Sequence, residues 1–399
     1  MANTLKFGNG EWYGKKDTIL AYNDLNSNYK PLPFDFSRGS SATVVNKDGL
    51  IETVGSGQPR IDYKDDSKGA LLLEPQSTNL IIQSEYFDGP GWQIFDNIVV
   101  EQNHSISPQG LQNASKITSS GGSNDFLYEN QSVTSGTTYT TSCFIKNIDS
   151  IRTGIYGVSS SDFNIYWDGA EIDYVVGTNV DYEDYGNGWY RVWKTSTATG
   201  GSSIMRFYPD RGNAGGGSVL LYGYQVEAKS YPTSYIPTQG GVVTRLGDNI
   251  TQTTPNLSNS QEVTAFIDLG ARPLTGINTT SNNFRIDFGT GNTRIIYNQN
   301  SSSNHRIELN INGSATYYTL SNLLTTTRAK IGVSVTPTTL VIYANGVEYH
   351  SVSIASTDWS NLLEIETNIT DAIGNIKIND FKLYDTALTD QELQALTTI

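Results

Sequence analysis

Val341-Ile-Tyr-Ala-Asn-Gly-Val-Glu-Tyr-His350 sets Asn345-Gly346 between two strand-like runs. A two-residue type I′ turn demands a positive φ at both central positions, and Asn and Gly tolerate it, so the stretch predicts a β-hairpin. The device recurs. Glu308-Leu-Asn-Ile-Asn-Gly-Ser-Ala-Thr-Tyr-Tyr318 carries Asn312-Gly313, and Ala42-Thr-Val-Val-Asn-Lys-Asp-Gly-Leu-Ile-Glu52 carries Asp48-Gly49. Elsewhere, runs of period two separated by turn residues follow at the short intervals of sandwiches. Composition agrees: the 399 residues include 38 Gly and 24 Tyr and only 17% are charged, which suits strands and tight turns rather than helices. The predicted fold class is all-β, with two β-sandwich (jelly-roll) domains after an irregular N-terminal module and one short C-terminal helix. That helix is marked by Thr389-Asp-Gln-Glu392, a capping box, with Leu393 and Leu396 as its apolar side. Too short to stand alone, it is expected to dock on the preceding segment Ile376–Tyr384.

Lys plus Arg number 26 against 40 Asp plus Glu, a formal charge of −14. Nucleic acid and anionic membranes carry the same sign, so neither is an expected partner. No run approaches the roughly 18 apolar residues of a membrane span, and Met1–Gly10 lacks the apolar core of a signal peptide, so synthesis in the cytoplasm is expected. A single cysteine, Cys143, excludes an intrachain disulfide, and three histidines leave little for a His-rich metal site. Cys143 lies in an alternating strand-like stretch and is expected to be a buried structural thiol.

Composition shifts divide the chain. Residues 1–78 are rich in Gly, Pro and Asn with scattered aromatics and no evident core, and are expected to be ordered by a partner. A first sandwich is expected over 79–240, a polar linker over 241–261 and a second sandwich over 262–399.

Phe36-Ser-Arg-Gly-Ser-Ser-Ala-Thr-Val-Val-Asn-Lys-Asp-Gly-Leu-Ile-Glu52, Gln58-Pro-Arg-Ile-Asp-Tyr63 and Gly69-Ala-Leu-Leu-Leu-Glu-Pro-Gln-Ser-Thr-Asn-Leu80 together resemble, in order and spacing, the N-terminal module of tailed-phage virion appendages. The following stretch, with Ser84-Glu-Tyr-Phe87, Trp92, Gly188-Trp-Tyr-Arg-Val192, Leu221-Tyr-Gly-Tyr-Gln-Val-Glu227 and Tyr235-Ile-Pro-Thr238, is similar to that family's carbohydrate-binding-module-like β-sandwich. From about 262, the Val341–Tyr349 hairpin and Ile376–Leu393 are similar to concanavalin A-like (laminin G-like) jelly rolls. The opening Leu5-Lys-Phe-Gly-Asn-Gly-Glu-Trp-Tyr13 also resembles phage fibre proteins. The resemblance implies a virion location, with Phe7, Trp12 and Tyr13 docking onto other capsid or tail proteins. It also implies a homotrimer, because fibres of this kind are usually threefold.

Jelly rolls of this type host glycanases, which need two carboxyl groups about 5 to 5.5 Å or 6.5 to 9.5 Å apart. Glu364 and Glu366 share a strand face, but the third acid of the glycanase pattern is replaced by Asn368 and Ile369, so a solvent-facing strand edge is expected. Asp181, Glu183 and Asp184 could offer oxygen ligands to a structural calcium ion, but without a calcium-loop spacing a solvated loop is expected. No cofactor is expected. Sugar binding needs rings to stack on pyranose C–H faces and polar groups to orient hydroxyls. Tyr166-Trp167-Asp168, Trp189-Tyr190-Arg191-Val192-Trp193 and Arg206-Phe-Tyr-Pro-Asp-Arg211 supply both, and Trp167, Asp168, Arg191, Tyr208, Asp210 and Arg211 are the candidate carbohydrate-binding residues. The expectation is a non-enzymatic head or tail fibre or decoration protein that meets host surface polysaccharide. A tail-associated polysaccharide depolymerase and a bacterial surface adhesin are the alternatives.

Overall fold

The computed structural model describes residues 4–8, 12–15, 18–23, 28–121, 124–158, 162–212, 216–253, 261–270, 282–289, 292–299, 304–324, 328–360, 362–366 and 376–399, with backbone alone before residue 35. The chain is all-β with one short C-terminal helix and forms two units. The first comprises 1–41, 54–76 and 246–399, and the second 42–53 and 77–245.

This division differs from the expected one. The first unit is a sandwich whose eight-stranded sheet runs Val347–Ser353, Thr339–Ala344, Ala329–Val335, Val263–Leu269, Ile376–Tyr384, Ala70–Leu73, Arg60–Asp62. Thr4–Gly8 pairs with the end of Ile376–Tyr384 (Phe7 opposite Phe381), while Ala70–Leu73 pairs with its start (Leu73 opposite Ile376). The nine-stranded sheet runs Trp12–Lys15, Thr18–Asn23, Asn28–Ser37, Asn249–Thr253, Leu362–Glu366, Asn282–Phe288, Thr293–Gln299, Asn304–Ile311, Ser314–Leu324. Residues 1–78 therefore form no separate module. Most of the segment completes both sheets of the C-terminal sandwich, and Phe36, Ile61, Leu71 and Leu73 lie in its core. A segment unable to bury a core alone is here ordered by the rest of its own chain. The expected linker 241–261 likewise contains two strands, Val243–Arg245 and Asn249–Thr253, and residues 254–260 lie outside the described residues. Ile250, fully buried among polar neighbours, makes the second a core strand.

A buried ion cluster fastens the first unit. Arg38 Nη1 lies 2.9 Å from Asp248 Oδ1, Arg60 bonds Asp248 and lies 2.6 Å from Glu74, and all four side chains are buried. Further bonds surround the cluster: Arg38 donates to the carbonyls of Ser40, Gly55 and Gln58, and Glu74 N–H donates to Asp248 at 2.9 Å. Burial opposes the Arg60 charge, but Asp248 and Glu74 more than offset it, so its pKa lies above the ordinary arginine value. Asp248→Asn would leave both guanidiniums facing a neutral group. Removing one partner of a buried ion pair costs about 3–5 kcal/mol, so the variant is expected to unfold at a clearly lower urea concentration. An unchanged midpoint would show the cluster to be dispensable.

The hairpins behave as expected where Asn and Gly both sit in the turn: Asn345 and Gly346 have φ of 48° and 79°, Asn312 and Gly313 of 50° and 88°. At Asp48-Gly49 only Gly49 is positive, because the Asn46 side chain accepts from Asp48 and Leu50 N–H and shapes a longer loop. The capping box forms at Thr389 and Glu392. Its helix, Asp390–Thr397, docks on Ala329–Val335 and Thr339–Ala344 rather than on Ile376–Tyr384. Gly332 makes this possible, since a Cβ there would stand 3.1 Å from both Leu393 and Thr397.

The second unit packs two six-stranded sheets. One runs Gln93–Phe95, Phe126–Ser132, Ser202–Tyr208, Arg152–Tyr156, Asp162–Asp168, Glu171–Val176; the other Ile98–Ser105, Ala114–Ser119, Gly217–Glu227, Thr138–Asn147, Tyr190–Thr197, Val180–Asp184. Between them lies a core with Leu127, Phe163, Phe207, Val192, Leu221 and Cys143. Cys143 is fully buried as expected, and burial pushes its thiol pKa up. A further cluster of Phe144, Trp189, Leu220, Tyr222 and Tyr235 covers the second sheet's other side with Ile51 of the 42–54 hairpin. Gly217–Glu227 is consequently buried along its whole length.

Glu129 points inward from Phe126–Ser132 and accepts from Gln131 at 2.6 Å. Burial pushes its pKa up to about 7 from an ordinary 4.5. The unfolded chain releases this proton near pH 4.5 while the folded chain holds it to about pH 7, so ionisation favours unfolding across that window. Stability from this group is greatest below pH 4.5 and levels off at its lowest above 7. Glu129→Gln is therefore expected to raise the Tm at pH 8 and to lose that advantage at pH 4.5, and a gain independent of pH would refute the assignment.

Candidate functional site

Alternation along the first sheet of the second unit sends Leu127, Met205, Phe207, Ile155, Phe163 and Ile165 into the core. It leaves Phe126, Tyr128, Arg206, Tyr208, Arg152, Tyr156, Asn164 and Tyr166 on the outer face. Register brings them into rows. Gln93, Tyr128, Arg206, Tyr156 and Asp162 stand side by side across five strands, and Arg152, Tyr166 and Tyr174 across three.

The rings form a nearly continuous surface. Phe95 stacks on Phe126 with centroids 4.6 Å apart, Phe126 meets Tyr208 at 4.9 Å, Tyr208 meets Tyr156 at 5.4 Å, and Tyr166 stacks on Tyr174 at 4.4 Å. Phe95 and Tyr174 are 47% and 48% exposed, whereas Tyr208 is buried as the floor. Guanidiniums lie over these rings: Arg206 over Phe126 and Tyr156 at 5.1 and 5.4 Å, Arg211 over Tyr156 and Tyr208 at 4.9 and 5.0 Å, Arg152 over Tyr166 at 5.7 Å. Arg211 donates to Tyr156 Oη at 2.6 Å, and Arg152 to Tyr166 Oη at 3.2 Å. Gly154 leaves the space Arg211 uses, since a Cβ there would stand 2.9 Å from Arg211 Cδ. The result is a pleated ledge of aromatic faces with planar donors between them, able to stack a sugar ring and orient its hydroxyls.

Of the carbohydrate-binding residues expected from sequence, Arg211 and Tyr208 reach this face, Tyr208 beneath it. Trp167 does not: it is 9% exposed, packs in the core near Tyr190 and donates its indole N–H to Thr153 at 2.9 Å. Its neighbour Asp168 is exposed at the hairpin end of the strand. Arg191 belongs to the other sheet, where it is buried, stacks on Phe144 at 5.3 Å and donates to the Thr233 carbonyl at 2.7 Å. Asp210 is buried, and its Oδ1 accepts from Ile151 and Arg152 N–H at 3.2 Å, so it shapes the turn. Trp189 and Trp193 are buried too, because this sheet is covered on both sides. Phe95, Phe126, Tyr128, Tyr156, Tyr174 and Arg152 were not anticipated. The detectable signal was alternation in Arg152-Thr-Gly-Ile-Tyr156 and Ser202-Ser-Ile-Met-Arg-Phe-Tyr208.

The acidic candidates are placed otherwise. Leu362–Glu366 is not an edge strand but lies between Asn249–Thr253 and Asn282–Phe288, with Ile365 in the core. Glu364 stands 4.0 Å from Arg285, which also pairs with Asp287 at 2.7 Å; the side chain of Glu366 lies outside the described residues. Asp181, Glu183 and Asp184 lie on the edge strand Val180–Asp184, not in a loop. Phe7 stands opposite Phe381, Trp12 opposite Ala21 and Tyr13 opposite Leu20 in strand register, and their side chains lie outside the described residues. A cleft of about 810 Å³ elsewhere in the second unit is lined by Gln83, Glu85, Asn103, Asn113, Thr238 and Gln239. Its carboxylate, Glu85, is occupied by the Tyr235 and Tyr222 hydroxyls and the Asn113 amide.

No protein-family model matches the chain, and no curated protein does. Among solved structures it is similar to domain 4 of AbnA, a GH43 extracellular arabinanase from Geobacillus stearothermophilus in complex with arabinotriose. The identity is 16% over 42% of this chain and 82% of that one, with a TM-score of 0.30. The Ruminococcus gnavus IT-sialidase CBM40 bound to α2,3 sialyllactose is 14% identical over 36% and 84%, with a TM-score of 0.29. The binding domain of botulinum neurotoxin DC in complex with rat synaptotagmin II is 13% identical over 38% of this chain and 40% of that one, with a TM-score of 0.31. Likenesses at this level carry no argument about what this chain binds.

Proposed function

We propose that this chain is a structural protein of a tailed-phage particle, a head or tail fibre or decoration protein, and that the ring-and-arginine face holds host surface polysaccharide. The binding half rests on one observation: the outer face of the Gln93–Val176 sheet carries stacked rings and guanidiniums where a solvent-facing sheet ordinarily carries small polar residues. The particle half rests on the three motif pieces between Phe36 and Leu80. Virion neighbours, a threefold assembly and docking through Phe7, Trp12 and Tyr13 belong to the same proposal.

Removing two rings tests the face. Each ring pairing contributes about 0.5–1.5 kcal/mol beyond its buried area, so Tyr156→Ala with Tyr166→Ala is expected to weaken adsorption of the labelled protein to host cells about tenfold or more, with circular dichroism unchanged. Undiminished adsorption would sink the proposed face.

The proposal is of a binding protein, not a hydrolase. Glycoside cleavage needs a proton-donating acid facing an ionised partner across a fixed cleft, and Glu364 instead lies 4.0 Å from Arg285 on an inner strand of the nine-stranded sheet. Incubation with host polysaccharide is expected to release no reducing ends above background. Release abolished by Glu364→Gln with Glu366→Gln would overturn the binding reading in favour of a depolymerase.

A further inference from the structure

We propose that the saccharide held by this face is acidic, its carboxylates taken by Arg206 and Arg152. This rests on the glycan-binding reading above and narrows it to polysaccharides that carry uronic or other sugar acids.

The chain as a whole is acidic, at −14, so a cationic cluster does not arise from average composition. The outer face nevertheless collects Arg152, Arg206 and Arg211. In the first unit two partly buried arginines are matched with carboxylates, Arg285 lying 2.7 Å from Asp287 and Arg328 2.8 Å from Asp268. Arg152 and Arg206 have no carboxylate partner among the described residues. Arg206 is held by rings on two sides, and its buried Nε has no hydrogen-bond partner. Stacking restrains the Arg206 guanidinium without consuming its donors, and a planar fork matches a carboxylate in two parallel bonds; Arg152 spends Nε on the Arg211 carbonyl at 2.7 Å and Nη1 on Tyr166 Oη at 3.2 Å, which leaves Nη2 to add a single bond. A neutral sugar would leave this charge without a counter-ion at the moment of desolvation, whereas an acidic sugar supplies one. Single-stranded nucleic acid could use the same rings, but its unbroken phosphate charge meets the repulsion of the whole chain.

The test uses the full chain on an array of bacterial surface polysaccharides, neutral and carboxylated, with dextran sulfate and oligothymidylate printed beside them. Binding is expected at carboxylated features and to fall as salt rises. Arg206→Met should weaken it at least tenfold with an unchanged Tm, and Arg206→Lys, which keeps the charge but loses the fork, should restore only part. Equal binding to neutral and carboxylated features, unaffected by Arg206→Met, would overturn the acidic-ligand inference and leave the glycan reading standing. Equal binding to dextran sulfate or oligothymidylate would also overturn it, as general anion capture. Binding to none of the printed polysaccharides would remove both.

Discussion

One carboxylate, Asp248, sits buried between the guanidiniums of Arg38 and Arg60, and Glu74 closes the cluster. Its net stabilisation relative to an apolar substitute is small, since desolvating four charges costs about what their attraction returns. Its effect is geometric. Arg38 follows Asn28–Ser37 and Asp248 precedes Asn249–Thr253, neighbours in the nine-stranded sheet, while Arg60 and Glu74 lie in and after strands of the eight-stranded sheet. Apolar contacts tolerate sliding, but a buried ion pair left one residue out of register would carry the full cost of an uncompensated charge. The cluster thus indexes both sheets of the first unit at one point, through segments that in sequence are 210 residues apart.

The second unit uses the same device with weaker groups. Glu227, buried at the end of Gly217–Glu227, accepts from Ser77 at 2.6 Å, Gln225 at 2.7 Å and Thr233 N–H at 3.0 Å. Asn79 donates to the carbonyls of Tyr224 and Ile236 and accepts from Ile81 and Val226 N–H. These bonds hold residues 228–238 against one sheet, whose central strand Gly217–Glu227 is buried along its whole length. The other sheet presents an outer face, and the rings and arginines stand there. The motif pieces that mark the chain most clearly in sequence are therefore scaffold, while the candidate site is built from residues with no motif at all.

Strand content, the Asn-Gly hairpins, the buried thiol and the capping box were legible in the sequence because each depends on neighbours within a few residues: positive φ, period-two alternation, a hydroxyl three residues from a glutamate. The sequence by itself also determined that Arg, Tyr and Trp cluster in a few strands of the second unit. Tertiary structure alone decided which strands share a sheet, so it decided that Thr4–Gly8 and Ala70–Leu73 complete a sandwich made mostly from residues beyond 246. It decided, too, which side of each strand is outside. Trp167 and Tyr166 are adjacent in the chain, yet the pleat sends one to the core and the other to the ledge. Alternation specifies two faces without saying which is covered, and Trp189-Tyr190-Arg191 shows a strand where both are. That choice depends on what packs behind the sheet, which is a property of chain segments far away in sequence.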